Sequence, residues 1–175
     1  MEKSLDLARL FNPQSIAIVG ASARPSSISG QYLAFLTKFG YQGEIYPVNP
    51  GHQEIAGRRC YGRLADIPGQ VDLCLILTPK QSVKPAMLDC AEKHVPHVVI
   101  PAAGFGEAGG EGAVLEQELV TIARAGGMHL LGPNCMGFIN FKDSVVASFG
   151  GFLADVTLGS GNVAFVSQSG AFGGN

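Results

Sequence analysis

The chain has 175 residues, of which 46% are hydrophobic and 15% charged, and its formal net charge is −2. This length allows one domain with a sizeable core and the start of another. The absence of a basic run argues against a nucleic-acid partner, and no apolar run approaches the roughly 18 residues that span a bilayer, so no membrane partner is expected.

Apolar strand-like runs alternate with helical patterns over the first 140 residues. Strands are predicted at 15–19, 44–48, 71–77, 97–100 and 128–131. Helices are predicted at 30–39, 81–93 and 111–125, with an irregular excursion or small hairpin at 55–64. Continuously apolar strands separated by helices are typical of a parallel sheet covered on both faces. The predicted fold class is therefore α/β, a Rossmann-like, doubly wound parallel sheet.

The pattern changes near residue 140. Residues 141–160 are rich in glycine and give no clean helix, which indicates a linker. A second strand-like run at 162–166 is followed by the turn Ser167-Gln168-Ser169-Gly170. We therefore predict a Rossmann-like domain at 1–140, a linker at 141–160, and the first strand and turn of a second, flavodoxin-like α/β domain at 161–175. Because a domain rarely stops at its first crossover, the chain is expected to be a piece of a longer protein.

The carboxyl ends of the predicted strands carry the ligand signals, since open α/β sheets bind ligands there. After the first strand, Gly20-Ala21-Ser22 forms a turn with little Cβ bulk, which a pyrophosphate can approach. A turn for NAD would have a second glycine where Ser22 stands and a carboxylate after the second strand, where Asn49 stands. These differences argue against NAD.

An adenosine that carries an extra ribose phosphate fits the sequence better. The second strand ends without an acid, and basic or potentially cationic residues lie near the strand ends, namely Arg24, His52, Arg58 and Lys80. NADP and coenzyme A both carry such a phosphate. The residues alone leave these two ligands open.

Five segments together resemble the coenzyme A-binding domain of NDP-forming acyl-CoA synthetases, relatives of the succinyl-CoA synthetase α subunit. They occur in the family's order and spacing, and the resemblance covers essentially the whole chain. The segments span residues 11–22, 46–50, 103–107, 132–137 and 167–171.

The resemblance implies a ligase that makes acyl-CoA from a carboxylic acid, coenzyme A and ATP, releasing ADP and phosphate through an acyl phosphate and a phosphohistidine. ATP, ADP and Mg belong to modules other than this chain, including an ATP-grasp module or subunit, and the acid meets the enzyme there too. The implied coenzyme A contacts run from the pyrophosphate turn past the adenosine site and along the pantetheine arm to the thiol end: Gly20, Ala21, Ser22, Arg24, Val48, Asn49, Pro50, His52, Thr78, Pro79, Ala102, Ala103, Gly104, Asn134 and Cys135.

No catalytic residue and no metal ligand is assigned to this chain, which alone is expected to be inactive. No histidine matches the family's phosphohistidine segment, and Cys135 has no identifiable base beside it, so a wall for the pantetheine arm is favoured over a nucleophile. The four cysteines match no zinc spacing, and with no signal peptide they indicate the cytoplasm. Two alternatives stay open: a coenzyme A-binding or regulatory domain of a protein acetyltransferase, and an NADP-dependent oxidoreductase domain.

Overall fold

The computed structural model describes residues 7–157 and 159–170. The helices in this part of the chain are α1 (Leu7–Phe11), α2 (Ile28–Lys38), α3 (Val83–Glu92) and α4 (Gly110–Gly126). The strands are β1 (Ser15–Val19), β2 (Glu44–Val48), β3 (Glu54–Ile55), β4 (Arg58–Arg59), β5 (Leu73–Ile76), β6 (His97–Val99), β7 (His129–Leu131), β8 (Gly137–Asn140) and β9 (Val145–Ser148). The strands and helices predicted up to residue 131 are present, with ends shifted by at most two residues.

Five strands form one parallel sheet in the order β2-β1-β5-β6-β7. Beyond its outer strand β2, Tyr61 makes a single parallel bridge to Val48. If this bridge is counted as a one-residue strand, the order becomes that of the Rossmann fold, 3-2-1-4-5-6. The predicted fold class is confirmed.

Side chains of β1 alternate between the two faces of the sheet, as the twofold period of a strand requires. Ile16 and Ile18 pack in a cluster with residues of α2 and β9, whereas Ala17 packs in a cluster with residues of α3 and α4. Each of these three side chains is fully buried. Burial on both faces accounts for the unbroken apolar runs in the sequence.

A hairpin crosses the predicted boundary between the domain and the linker at residue 140, and it packs on the domain. Strands β8 and β9 pair in antiparallel fashion, and all four residues of β9 are buried. Val145 and Ala147 join the cluster under α2, while Val146 packs with Phe35 and Leu153. Both faces of β9 are covered, so its sequence does not show the alternation of apolar and polar residues that marks a half-buried strand. The domain boundary at residue 140 stays a prediction.

The predicted strand at 162–166 is wrong for this structure. The described residues there form no strand, and the Val163 and Val166 side chains are 92% and 94% exposed. A strand needs a neighbour to hydrogen-bond with its backbone, and this segment has no pairing with the sheet. Part of the predicted second domain, residues 171–175, lies outside the described residues.

A buried carboxylate ties together the amino ends of β1 and β5. Asp72, 5% exposed, accepts a hydrogen bond from the Gln14 backbone N–H at 2.8 Å and pairs with the Arg9 guanidinium at 3.4 Å. The Ser15 hydroxyl in turn accepts a hydrogen bond from the Asp72 N–H at 3.0 Å.

We expect Asp72→Ala to lower the free energy of unfolding by about 2 kcal/mol, because the Gln14 N–H loses a charged acceptor in a buried place. Urea denaturation followed by circular dichroism measures this. The exposed Asp155→Ala serves as control. An Asp72→Ala midpoint equal to that of the control would contradict the assigned role.

Candidate functional site

The strands that follow β1 along the chain are added to the sheet first on one side of β1 and then on the other. From β1 the chain moves outward to β2, and from β5 it moves the other way to β6 and β7. Such a switch point leaves a crevice outside the carboxyl ends of the two central strands, where open α/β sheets bind ligands.

A cavity of about 190 Å³ opens at this switch point. Five of the predicted ligand residues line it, namely Gly20, Val48, Asn49, Pro50 and Thr78. The remaining lining residues are Val19, Gly62, Arg63, Leu64, Ala86 and Asp89. Pockets for drug-sized ligands are roughly 300–1,000 Å³, so this cavity has room for one part of a large nucleotide, such as a ribose or a phosphate.

Gly20 is required by the shape of the first turn. Its φ of +83° is favourable only for glycine, and an added Cβ would lie 2.9 Å from the Leu77 carbonyl oxygen and 3.0 Å from Thr78 Cγ2. The Gly20 and Ala21 backbone N–H groups both donate to the Val48 carbonyl, at 2.9 and 3.3 Å. These two amides therefore hold the turn against β2 and do not serve as donors to a ligand. The turn instead lets a ligand approach the backbone closely.

The next residues of the turn divide into one buried and two accessible positions. Ala21 is fully buried and packs in the core. The Ser22 hydroxyl accepts a hydrogen bond from the Arg24 N–H at 3.1 Å, which leaves its own proton available to an acceptor. The Arg24 side chain is exposed and lies outside the cavity lining.

Asn49 holds two loops together. Its side-chain amide donates to the Ala21 carbonyl at 3.0 Å, and its side-chain oxygen accepts from the Gly51 N–H at 2.9 Å. Asn49 thus lies at the predicted site and also holds the two loops in position. His52 is exposed and lies outside the cavity lining, with its backbone N–H bonded to the Asn49 carbonyl at 3.2 Å.

Thr78 carries the clearest sign of a missing partner. Its Oγ1 atom is buried, and no described residue makes a hydrogen bond to it. An unpaired buried hydroxyl costs free energy and is rare in native proteins. A polar ligand in the crevice would satisfy this hydroxyl, so the residues present fit a group that carries hydrogen-bonding atoms.

We expect Thr78→Val to separate ligand binding from stability. Valine keeps the shape but removes the unpaired hydroxyl, so the free energy of unfolding of the ligand-free protein should stay constant or rise by about 1 kcal/mol. Ligand affinity should fall by about tenfold. Thermal unfolding and calorimetric titration measure the two effects. Lower stability with unchanged affinity would assign the hydroxyl a structural role instead.

The loop after β6 is capped by the chain's own carboxylates. Glu107 accepts hydrogen bonds from the backbone N–H groups of Gly104 and Phe105 at 2.5 and 3.2 Å, and Glu116 accepts one from Gly106 at 2.7 Å. The backbone hydrogen bonds that Glu107 accepts, above all the one from Gly104, hold the pKa of its carboxyl below its ordinary value. The occupied amides favour a neutral part of a ligand at Ala102, Ala103 and Gly104.

The loop after β7 is fixed against the one after β6. The Asn134 N–H donates to the Ala102 carbonyl at 2.9 Å, with Asn134 in the left-handed region at a φ of +57°. The buried Tyr32 hydroxyl donates to the Met136 carbonyl at 3.1 Å. Tyr32 was not identified as a site residue from sequence, because its contact spans more than a hundred residues.

Cys135 is half-buried at this end of the sheet, with its sulfur 3.5 Å from the Ile100 carbonyl oxygen. Burial raises the pKa of its thiol above the ordinary value, although hydrogen bonds with the Gly137 and Ile100 backbone oppose this. A raised pKa lowers the thiolate fraction, which is unfavourable for a nucleophile. The geometry therefore suits a wall better than a catalytic thiol.

The predicted site residues thus fall into two groups. Gly20, Val48, Asn49, Pro50 and Thr78 share the cavity at the switch point. The others lie on the surrounding turns, outside the cavity lining: Ala21, Ser22, Arg24, His52, Pro79, Ala102, Ala103, Gly104, Asn134 and Cys135. Arg63 and Asp89, which sequence reasoning missed, complete the cavity, and only the tertiary fold brings them there.

A larger open groove of about 430 Å³ lies between α3 and α4 and is lined by Lys84, Val114 and Glu118 among others. It contains none of the predicted site residues and is away from the strand ends, so we place the site at the smaller cavity. In the described ranges, no group of three histidine, cysteine or acidic side chains could hold a metal ion. Within the same ranges, no helix is long and apolar enough to cross a membrane.

A Rossmann-like sheet with a glycine turn at its switch point is typical of nucleotide-binding α/β domains. The sequence matches the family described as "CoA binding domain" over residues 14–140. The chain belongs to this family.

Several relatives confirm the resemblance to ADP-forming acyl-CoA synthetases. The chain is 46% identical over 165 residues to acetate–CoA ligase [ADP-forming] II subunit alpha of Pyrococcus furiosus, covering 93% of this chain and 34% of the relative. It is 36% identical over 162 residues to 4-hydroxybutyrate–CoA ligase [ADP-forming] of Nitrosopumilus maritimus, covering 93% of this chain and 23% of the relative.

A solved structure is similar as well. The dinucleotide-forming acetyl-coenzyme A synthetase 1 of Ca. Korarchaeum cryptofilum, in complex with phosphate and ADP, is 44% identical with a TM-score of 0.89. The match covers 97% of this chain and 35% of that chain. The chain thus spans about a third or less of the length of these relatives.

Proposed function

We propose that this chain is the coenzyme A-binding portion of an ADP-forming acid–CoA ligase. The overall reaction joins a carboxylic acid to coenzyme A, with ATP converted to ADP and phosphate. The observation that carries the proposal is the switch-point crevice, where the Gly20 turn and the unpaired Thr78 hydroxyl meet in a chain of the coenzyme A-binding family.

The residues of this chain bind and orient coenzyme A. The Gly20-Ala21-Ser22 turn lets the pyrophosphate approach the backbone, with the Ser22 hydroxyl as a donor. The cavity beside Asn49 and Pro50 takes the ribose end. The pantetheine arm runs past Thr78 and Pro79 and along Ala102, Ala103 and Gly104 to Asn134 and Cys135. The Glu107 cap supports this direction, because it keeps phosphates away from the β6 loop.

The phosphoryl chemistry belongs to other parts of the enzyme. We place ATP, Mg and the phosphorylated histidine there, together with an ATP-grasp module or subunit. The acid also meets the enzyme outside this chain, since relatives that share this domain are named as ligases of acetate and of 4-hydroxybutyrate. Neither the acetyltransferase nor the NADP alternative gains support from these relatives.

We assign the protein to the cytoplasm. All four cysteines are free thiols, and the Sγ atoms of Cys60 and Cys135 point to backbone carbonyls rather than to each other. Free thiols are the usual state in a reducing compartment. Labelling of intact cells with a thiol reagent that cannot cross membranes should leave these cysteines unmodified.

Three measurements test the proposal. Calorimetric titration of this chain with coenzyme A should release or absorb heat, and coenzyme A rather than NADPH should raise the melting temperature. The full-length protein should release ADP from ATP over many turnovers only when coenzyme A and an acid are both present. No binding at about 1 mM coenzyme A, or protection by NADPH alone, would overturn the proposal.

A further inference from the structure

Arg63 occupies a place at the switch-point cavity that no sequence signal indicated. It follows Tyr61, whose parallel bridge to Val48 marks the vestigial third strand of the Rossmann order. It lines the cavity together with Gly20, Asn49 and Thr78. Its backbone N–H donates to the Asp66 carboxylate at 3.1 Å, which fixes the base of the side chain.

The guanidinium of Arg63 is held only loosely. Its Nη2 atom lies 3.7 Å from an oxygen of Asp89, and the two side chains are 65% and 39% exposed. An exposed ion pair at this distance contributes little free energy. The arginine can therefore exchange Asp89 for a better anion without a large cost.

Charge considerations point to a phosphate as that anion. The chain has a net charge of −2, so a phosphorylated ligand must be held by local groups. Among the residues that line the cavity, Arg63 is the cation and Asp89 the anion. In Rossmann folds a nearby arginine, in place of an acid after the second strand, accommodates a ribose phosphate. Here Asn49 stands in that place, and its side chain is already used by two backbone groups.

We propose that Arg63 leaves Asp89 and binds the ribose phosphate of coenzyme A, so that it determines the preference for coenzyme A over dephospho-coenzyme A. This inference rests on the proposed function. The planar guanidinium can donate two parallel hydrogen bonds to phosphate oxygens, which suits this role better than a lysine ammonium.

The test is calorimetric titration of four proteins with coenzyme A and with dephospho-coenzyme A. The proteins are the unchanged chain, Arg63→Ala, Asp89→Asn and the control Arg59→Ala. Arg59 is an exposed arginine outside the cavity lining, with its guanidinium 5.1 Å from the Tyr61 ring centre, so its removal changes the net charge equally. Melting temperatures show that each variant is folded.

Arg63→Ala should weaken coenzyme A binding by about tenfold or more and leave dephospho-coenzyme A binding unchanged. Arg59→Ala should bind both ligands as the unchanged chain does. Asp89→Asn should bind coenzyme A more tightly, because the competing carboxylate is gone. If Arg63→Ala weakens both ligands equally, or neither, the inference is overturned. If the unchanged chain binds no coenzyme A, the proposed function itself fails.

Discussion

Replacing Gly20 by alanine is expected to weaken coenzyme A binding by about 100-fold. The new Cβ would lie 2.9 Å from the Leu77 carbonyl oxygen, a backbone atom that cannot yield easily. The backbone would also be held at a φ of +83°, which costs an L-residue about 1–2 kcal/mol. The turn must shift away from β5, and the crevice between Gly20 and Thr78 changes shape.

Gly57→Ala is a matched control for this effect. Gly57 has a similar φ of +74°, but an added Cβ meets no atom within 4 Å. It lies between β3 and β4, outside the cavity lining. Gly57→Ala should lose about 1 kcal/mol of stability and keep its affinity for coenzyme A. Equal affinity losses in calorimetric titrations of the two variants would contradict binding of coenzyme A at the crevice beside Gly20.

Gly30→Ala is expected to destabilise the protein by about 3 kcal/mol or more. An added Cβ would lie 1.8 Å from the Arg24 carbonyl oxygen and 2.6 Å from its carbon. The same carbonyl accepts hydrogen bonds from the Ser27 backbone and hydroxyl, and that hydroxyl caps α2 by accepting from the Gly30 N–H. Alanine therefore disrupts both the loop and the start of the helix.

Urea denaturation measures this loss, with Gly151→Ala as its control. Gly151 has open space around its Cβ position and no positive φ. Its replacement should leave stability unchanged or raise it slightly. Gly30→Ala should also weaken coenzyme A binding, because residues 22–27 connect the ligand turn to α2. A Gly30→Ala midpoint like that of Gly151→Ala would contradict the assigned packing.

The sheet could be predicted because its strands are apolar on both faces and end at glycine or proline turns. In β1, Ile16, Ala17 and Ile18 are all buried, so no alternation weakens the pattern. The positions of the ligand turns then follow, since the carboxyl ends of parallel strands meet at one edge. Gly20, Asn49 and Thr78 are predicted in this way, and the three share the cavity.

Features that depend on distant contacts could not be predicted. Arg63 reaches the cavity only because Tyr61 bridges Val48, and one bridging residue leaves no periodic signal. Likewise β9 is short, and its burial depends on α2. The strand predicted at 162–166 shows the converse, because an apolar run forms no strand without a neighbour to pair with.

Asn49 illustrates how the structure adds a role to a predicted site residue. Its place after β2 predicts that it neighbours the adenosine, and its side-chain amide also bonds to the backbone of Ala21 and Gly51. Its function is to hold the glycine turn in place. The lack of an acid after β2 suggested a contact to a ribose phosphate. We assign this contact to Arg63, which lies further along the chain.

The central claim is that coenzyme A binds at the switch-point crevice. It is tested most directly by recording the backbone amide resonances of ¹⁵N-labelled protein during titration with coenzyme A. We predict that the largest shifts occur at Gly20, Ser22, Arg63 and Thr78, while Gly57 stays unchanged. Shifts confined to the groove between α3 and α4, or no shifts at saturating coenzyme A, would contradict the claim.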